Sequence, residues 1–106
     1  MKNNLEVYGF RKDYNPEKRI VKQEYITYNN KIYYVSTIDL GKDYSFGFGN
    51  PLYYETMIFN IQHNRVLYCV RYETRDEAQK GHEEIIKLIN ENKLKLINDY
   101  FEKIID

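Results

Sequence analysis

The stretch VLYCVRYETRDEAQKGHEEIIKLIN, residues 66–90, changes its hydrophobic period at Thr74 and decides the fold. Before Thr74, β-branched and aromatic residues follow one another as in a strand. After it, apolar residues recur at helical spacing, namely Ala78, Ile85, Leu88 and Ile89, with Leu96 and Ile97 further on. Thr74 and Glu77 have the spacing of a capping box. We therefore predict a helix from about Arg75 to near Asn90.

Four segments have the composition and length of β-strands, and turn residues bound them. They are RIVKQEYITY (19–28), KIYYVSTIDL (31–40), YYETMIFN (53–60) and VLYCVRYE (66–73). Asn29-Asn30 predicts a tight hairpin turn, and IQHNR (61–65) is a hairpin-sized connection. The order predicts a single α+β domain over residues 1–106, an antiparallel sheet of about four to five strands with a C-terminal helix, or two, packed on one face. LEVYGF (5–10) is the fifth strand candidate, and KLKLINDYFEKI (93–104) either continues the helix or begins a second one.

The composition narrows the class of protein. The 106 residues are 42% hydrophobic and 30% charged, which is typical of one globular domain, and 12 of them are tyrosine. The single cysteine, Cys69, excludes a disulfide framework and argues against a thiolate metal cluster, which needs several cysteines. No apolar run is long enough for a membrane span or a signal peptide. We expect an intracellular protein with no cofactor, no metal site and no membrane contact.

Charge argues against generic binding of nucleic acid. The chain has 16 basic and 16 acidic residues, and no basic stripe of the kind that duplex-binding domains carry is visible. Residues 1–31 hold seven basic and four acidic side chains, and residues 75–106 hold six and eight. A small basic patch at Arg11, Lys12, Lys18 and Arg19 keeps a nucleic-acid role open as an alternative.

Three polar residues are the only candidates for catalysis, and they are weak ones. His82 lies on the predicted buried stripe of the helix, and Glu55 alternates with apolar residues in a strand. Arg71 could pair with either of them, so we predict that Glu55, Arg71 and His82 could form one polar cluster. No nucleophile–base spacing supports an enzyme. A structural role, with His82 satisfied by a strand hydroxyl or carboxylate, is the favoured interpretation.

The loop YSFGFGNP, residues 44–51, is the strongest candidate for contact with a partner. It lacks the Lys-Ser/Thr ending of a phosphate loop and precedes a strand rather than a helix. We expect an ordered loop in which Phe46 or Phe48 folds onto the edge of the sheet. The alternative is an aromatic anchor that enters a pocket of a partner. The partner-binding candidates are Tyr44, Phe46, Phe48, Arg11 and Lys12.

Three segments, STIDLG (36–41), GNPLYYETMIF (49–59) and RYETRDEAQKGHEE (71–84), together resemble a family of small proteins encoded by bacteriophages and prophages. The resemblance covers about half of the chain, from Ser36 to about Ile89. It supplies no catalytic residues. It implies an accessory protein of a mobile element that acts in the cytoplasm of a bacterial host.

These observations favour a non-enzymatic accessory protein that acts by binding another protein, host or phage. The resemblance suggests inhibition of a host defence component. One alternative is a nucleic-acid-associated phage protein, and a second is a small enzyme centred on Glu55, Arg71 and His82. Self-association into a homodimer stays open.

Overall fold

A computed structural model describes residues 9–62 and 64–91. Strands β1 (Ile20–Tyr28), β2 (Lys31–Asp39), β3 (Tyr54–Asn60) and β4 (Arg65–Tyr72) form a four-stranded sheet in the order β1-β2-β3-β4, and every neighbouring pair is antiparallel. Helix α1 (Arg75–Asn90) packs across one face of this sheet. The predicted α+β class is therefore confirmed.

Two predicted elements fall partly or wholly outside the described residues. Residues 5–8 of the fifth strand candidate are not described, and residues 9 and 10 are not in a strand. The segment 93–104, predicted to extend the helix or begin another, also lies outside the described part of the chain. A short 3₁₀ turn, Pro16–Lys18, precedes β1, and the Asn15 side chain accepts the Glu17 amide there.

The β1–β2 hairpin turns where the sequence predicts it. Asn29 and Asn30 both have positive φ, 50° and 62°, which is the conformation of a two-residue type I′ turn. Asparagine tolerates this left-handed region better than other non-glycine residues. The turn sets the register that places Tyr25 opposite Tyr34 and Glu24 opposite Val35.

Thr74 caps α1 as predicted. Its hydroxyl accepts the backbone amide of Glu77 at 3.2 Å. The Glu77 carboxylate reaches back at 3.3 Å to the amide of Glu73, one residue before the cap. Two amide groups at the start of the helix thus have acceptors, and Asp76 and Glu77 lie at the positive end of the helix dipole.

The core lies between α1 and the sheet face that it covers. It combines side chains of β2, β3 and β4 with three residues of the helix: Tyr33, Val35, Tyr54, Ile58, Val70, Tyr72, Ala78, Ile85 and Ile89. Gly81 lies over Tyr72, and a methyl group at position 81 would overlap the tyrosine ring. The glycine inside the helix is explained by this close approach, which offsets its cost of about 1 kcal/mol in helix propensity.

Candidate functional site

His82 is fully buried in α1 and joins three elements of the fold. Its Nδ1 atom lies 2.6 Å from the Thr37 hydroxyl on β2, and its Nε2 atom lies 2.8 Å from the Glu24 carboxylate on β1. The Thr37 hydroxyl in turn lies 2.5 Å from the hydroxyl of Thr56 on β3. The two kinds of partner predicted for a buried His82, a strand hydroxyl or a carboxylate, are thus both present, and its structural role stays a prediction.

The donors and acceptors of this chain form a consistent set. An ionised carboxylate only accepts, so Nε2–H donates to Glu24. Nδ1 can then accept from the Thr37 hydroxyl, whose oxygen accepts from Thr56. A neutral imidazole therefore satisfies all three hydrogen bonds that link Glu24, His82, Thr37 and Thr56. Burial raises the pKa of Glu24, but hydrogen bonds from His82 and Lys22 outweigh burial and leave it below the ordinary value.

The same connectivity, carboxylate to imidazole to hydroxyl, occurs in hydrolases with a nucleophilic serine or threonine. The Thr37 side chain, however, is completely buried, as is His82. A substrate carbonyl must come within about 3 Å of the attacking oxygen. The packing of α1 on the sheet blocks that approach, so this array holds the helix in place and does not favour hydrolysis.

Glu55 and Arg71 lie on the other face of the sheet. They are cross-strand neighbours on β3 and β4, and the Arg71 Nε donates to Glu55 Oε2 at 3.0 Å. The predicted cluster with His82 is therefore wrong in its geometry. Strand alternation points Glu55 away from α1, and His82 finds its carboxylate in Glu24 on β1 instead. The residues for a combined acid–base site are not brought together.

Cys69 is a half-buried neighbour of this ion pair on the same face, opposite Met57. Burial, and then the charge of Glu55, raise the pKa of its thiol to about 11. The thiol is therefore protonated at neutral pH and is a poor nucleophile.

Arg11 is engaged within the protein. Its guanidinium makes two hydrogen bonds to the buried Asp39 carboxylate, at 3.1 and 2.7 Å, and another to Asp13. It also lies 5.0 Å from the centre of the Tyr53 ring. The hydrogen bond to Asp39 is the main cause that raises the pKa of Arg11 above its ordinary value. Of the two basic candidates for partner binding, Lys12 is exposed and Arg11 already holds Asp39.

The loop after β2 is organised by Asp43. One carboxylate oxygen accepts the amides of Ser45 and Leu52 at 2.8 and 2.9 Å, and the other accepts the Ser45 hydroxyl. These bonds hold both ends of the loop together and lower the pKa of Asp43. Tyr44 donates its amide to the Leu52 carbonyl. The loop is thus an ordered structure, as predicted.

The two phenylalanines of the loop point into solvent. Phe46 is 77% exposed and Phe48 is 85% exposed, so the expected fold of either ring onto the sheet edge is wrong. Phe46 has a φ of 57°, a left-handed conformation that is uncommon for a bulky residue. Its ring meets Tyr44 edge-on at 6.4 Å, and the Arg71 guanidinium lies 5.2 Å from the Tyr44 ring. Both rings are thus accessible to a partner, and the alternative of an aromatic anchor stays a prediction.

The sheet face opposite α1 carries a further apolar surface that the sequence analysis missed. Tyr25, Tyr34, Phe59 and Val66 form one row across all four strands. The ring centres of Tyr25 and Tyr34 are 4.7 Å apart, and those of Tyr34 and Phe59 are 6.0 Å apart. The signal was present in the sequence, because the alternate residues of 31–40 are apolar on both faces of the predicted strand.

Two open depressions lie along the exposed side of α1, with volumes of about 460 and 410 Å³. Charged residues of the helix line both, and neither contains Glu55, Arg71 or His82. Among the described side chains, no group of three or more His, Cys, Asp or Glu residues is placed to hold a metal ion. Within the described ranges, no helix has the length and apolar character needed to cross a bilayer.

No protein-family model matches the chain, and no curated protein or solved structure is significantly similar to it.

Proposed function

We propose that this chain is a small accessory protein that acts by binding another protein, with the loop around Phe46 and Phe48 as the anchor. The observation that carries the proposal is the exposure of two phenylalanine rings on a loop held by the Asp43 carboxylate. An exposed ring forgoes roughly 1.5–3 kcal/mol of burial. A held loop also loses little conformational freedom when a partner binds, which favours affinity.

The left-handed Phe46 supports the same interpretation. Backbone strain of this kind costs about 1–3 kcal/mol and is concentrated at functional sites. Here the strain presents a large apolar side chain to solvent, where it adds little to the stability of the fold. Aromatic residues that enter a pocket of the partner supply much of the binding energy in many protein interfaces.

The resemblance to small proteins of phages and prophages gives the context of the proposal. It suggests that the chain acts in the cytoplasm of a bacterial host, and that its partner is a host protein, with a defence component as the target class. The nucleic-acid alternative has less support, because the Arg11 guanidinium makes two hydrogen bonds to Asp39, and these compete with binding to a phosphate. The enzyme alternative has less support because His82 lies on the other face from Glu55 and Arg71.

The test compares capture of host proteins by the intact chain and by the double variant Phe46→Ser, Phe48→Ser. We expect the free energy of unfolding of the double variant to lie within about 0.5 kcal/mol of the wild-type value, because both rings are exposed. Capture of the specific partner from a bacterial lysate should fall at least about tenfold. Gln79→Ala, on the exposed side of α1, is the matched control and should capture normally. An equal yield of the same partner with the double variant would refute the proposal.

A further inference from the structure

The face of the sheet opposite α1 holds most of the exposed large apolar side chains that the structure describes. Seven such residues are exposed, and two of them are the loop phenylalanines. Strand register places four of the other five on the open face, namely Ile20, Tyr25, Ile32 and Val66. The fifth, Ile61, lies in the turn after β3, and its amide donates to the Ile32 carbonyl. We call this surface the open sheet face. Exposed apolar patches of more than a few hundred Å² mark interaction sites on soluble proteins.

The open sheet face is large enough for a weak interface. Four strands spaced about 4.8 Å apart, with about seven residues of about 3.4 Å each, cover roughly 19 by 24 Å, or about 450 Å² of flat area. Two such faces in full contact would bury at most about 900 Å², because Glu55 on this face is already buried in the monomer. This is the size of weak or transient interfaces.

The charge of the open sheet face favours a copy of the same chain as its occupant. Among the described side chains of the four strands, the charged ones on this face are Glu55 and Arg71, and they neutralise each other. Gln23 and Ser36 also bond to each other there, at 2.8 Å. An identical face therefore brings no net charge from the described residues of the strands. The interface of a two-fold dimer uses the same surface of both copies, so that surface must be complementary to itself.

We propose that two copies of the chain associate through their open sheet faces to form a two-fold dimer, with the rows of Tyr25, Tyr34, Phe59 and Val66 packed against each other. The row does not include Phe46 or Phe48, whose loop borders this face where the Arg71 guanidinium lies 5.2 Å from the Tyr44 ring. The dimer presents two aromatic loops to partners, and it goes beyond the proposed function without depending on it.

The first test is the molar mass of the intact chain in solution, measured by light scattering or sedimentation from about 1 µM to about 200 µM, a range that brackets a micromolar dissociation constant. We expect the mass to rise from 12.9 kDa towards twice that value. Tyr25→Lys and Val66→Lys place a charge at residues that are 68% and 45% exposed, so the fold should tolerate them. Each should weaken the dimer at least about tenfold, because a buried charge without a partner is costly.

Phe48→Lys is the matched control, since it places the same charge at an exposed aromatic residue outside the open sheet face. It should leave the dimer intact, while it weakens capture of the partner. A chain that stays monomeric over the whole range would overturn the dimer and leave the proposed function untouched. A dimer that Tyr25→Lys does not weaken would also overturn the proposal, since the interface would then lie elsewhere.

Cys69 gives a second measurement on the same face. Its half-buried side chain lies opposite Met57, about midway along the edge strand β4 of the open sheet face, so dimerisation through the whole face should cover it. At high concentration, we expect wild-type Cys69 to be alkylated several-fold more slowly than Cys69 in the folded Tyr25→Lys variant. Equal rates in the two proteins, with the wild type dimeric, would contradict an interface at this face.

Discussion

Replacing His82 by alanine should destabilise the protein strongly. The imidazole is completely buried and joins α1 to β1 and β2 through Glu24 and Thr37. Its removal leaves the buried Thr37 hydroxyl without that partner, which costs about 1–3 kcal/mol of stability. It also opens a cavity, which adds to the loss of stability. The Glu24 side chain is 30% exposed, so a water molecule can replace the donor that it loses. The loss of this hydrogen bond therefore adds little to the destabilisation.

We therefore expect a loss of about 3 kcal/mol in the free energy of unfolding, a large part of the 5–15 kcal/mol that holds a typical domain together. The corresponding fall in melting temperature is roughly 10–20 °C for a domain of this size. Chemical denaturation and thermal melting, both followed by circular dichroism, measure the two quantities. His82→Asn should recover part of the loss, because its side-chain oxygen can accept from Thr37.

Capture of the partner, measured on the same His82→Ala protein at a temperature where it is folded, separates structure from function. If His82 only holds the helix in place, capture should fall no further than the folded fraction falls. Glu84→Ala, an exposed change two residues away, should alter neither quantity. An unchanged melting temperature for His82→Ala would refute the reasoning, and an unchanged melting temperature with capture abolished would assign His82 a direct role in binding.

Three further outcomes follow from the helix and its contacts. Gly81→Ala should lower the melting temperature, although alanine is the better helix former, because its methyl group overlaps the Tyr72 ring. Thr74→Ala should cost about 1 kcal/mol in denaturant unfolding, while Thr74→Ser should retain the cap. The pKa of Glu24 is lowered in the folded protein, so its contribution to stability is present above the unfolded value near 4.5 and is lost as the pH falls through the lower folded value. The difference in stability between wild type and Glu24→Gln, measured by denaturation from pH 7 to about pH 3, should therefore shrink towards acid. A constant difference would contradict this assignment.

The elements of the fold could be predicted because each is decided by nearby residues. The Asn29-Asn30 turn and the Thr74 cap depend on the conformational preferences of a few adjacent residues. Their hydrogen bonds span at most four residues along the chain, so the sequence carries the full signal. The same holds for the helical spacing that placed His82 towards the sheet.

The partners of His82 could not be predicted in the same way. Glu24 is 58 residues away along the chain and lies on the edge strand β1. Naming it requires both the strand register and the choice of which sheet face the helix covers. His82 was predicted to lie near Glu55 because the pattern of a single strand shows two faces and does not indicate which of them the helix covers. The contact of Glu55 with Arg71 depends only on cross-strand register, and it was among the predicted pairings.

Hydrophobicity alone does not explain which face α1 covers. In β2 the covered side includes Thr37 and Asp39, whereas the open side includes Ile32, Tyr34 and Ile38. The covered face instead provides an acceptor, Glu24, and a donor, Thr37, for a histidine that helical spacing must bury, and a buried imidazole without partners costs more than an exposed aromatic ring. Polar pairing thus favours the observed packing, and the apolar residues of the other face are left uncovered by the helix. Because the hydrogen bonds of His82 decide which face the helix covers, the tyrosines of the other face remain as an uncovered aromatic row.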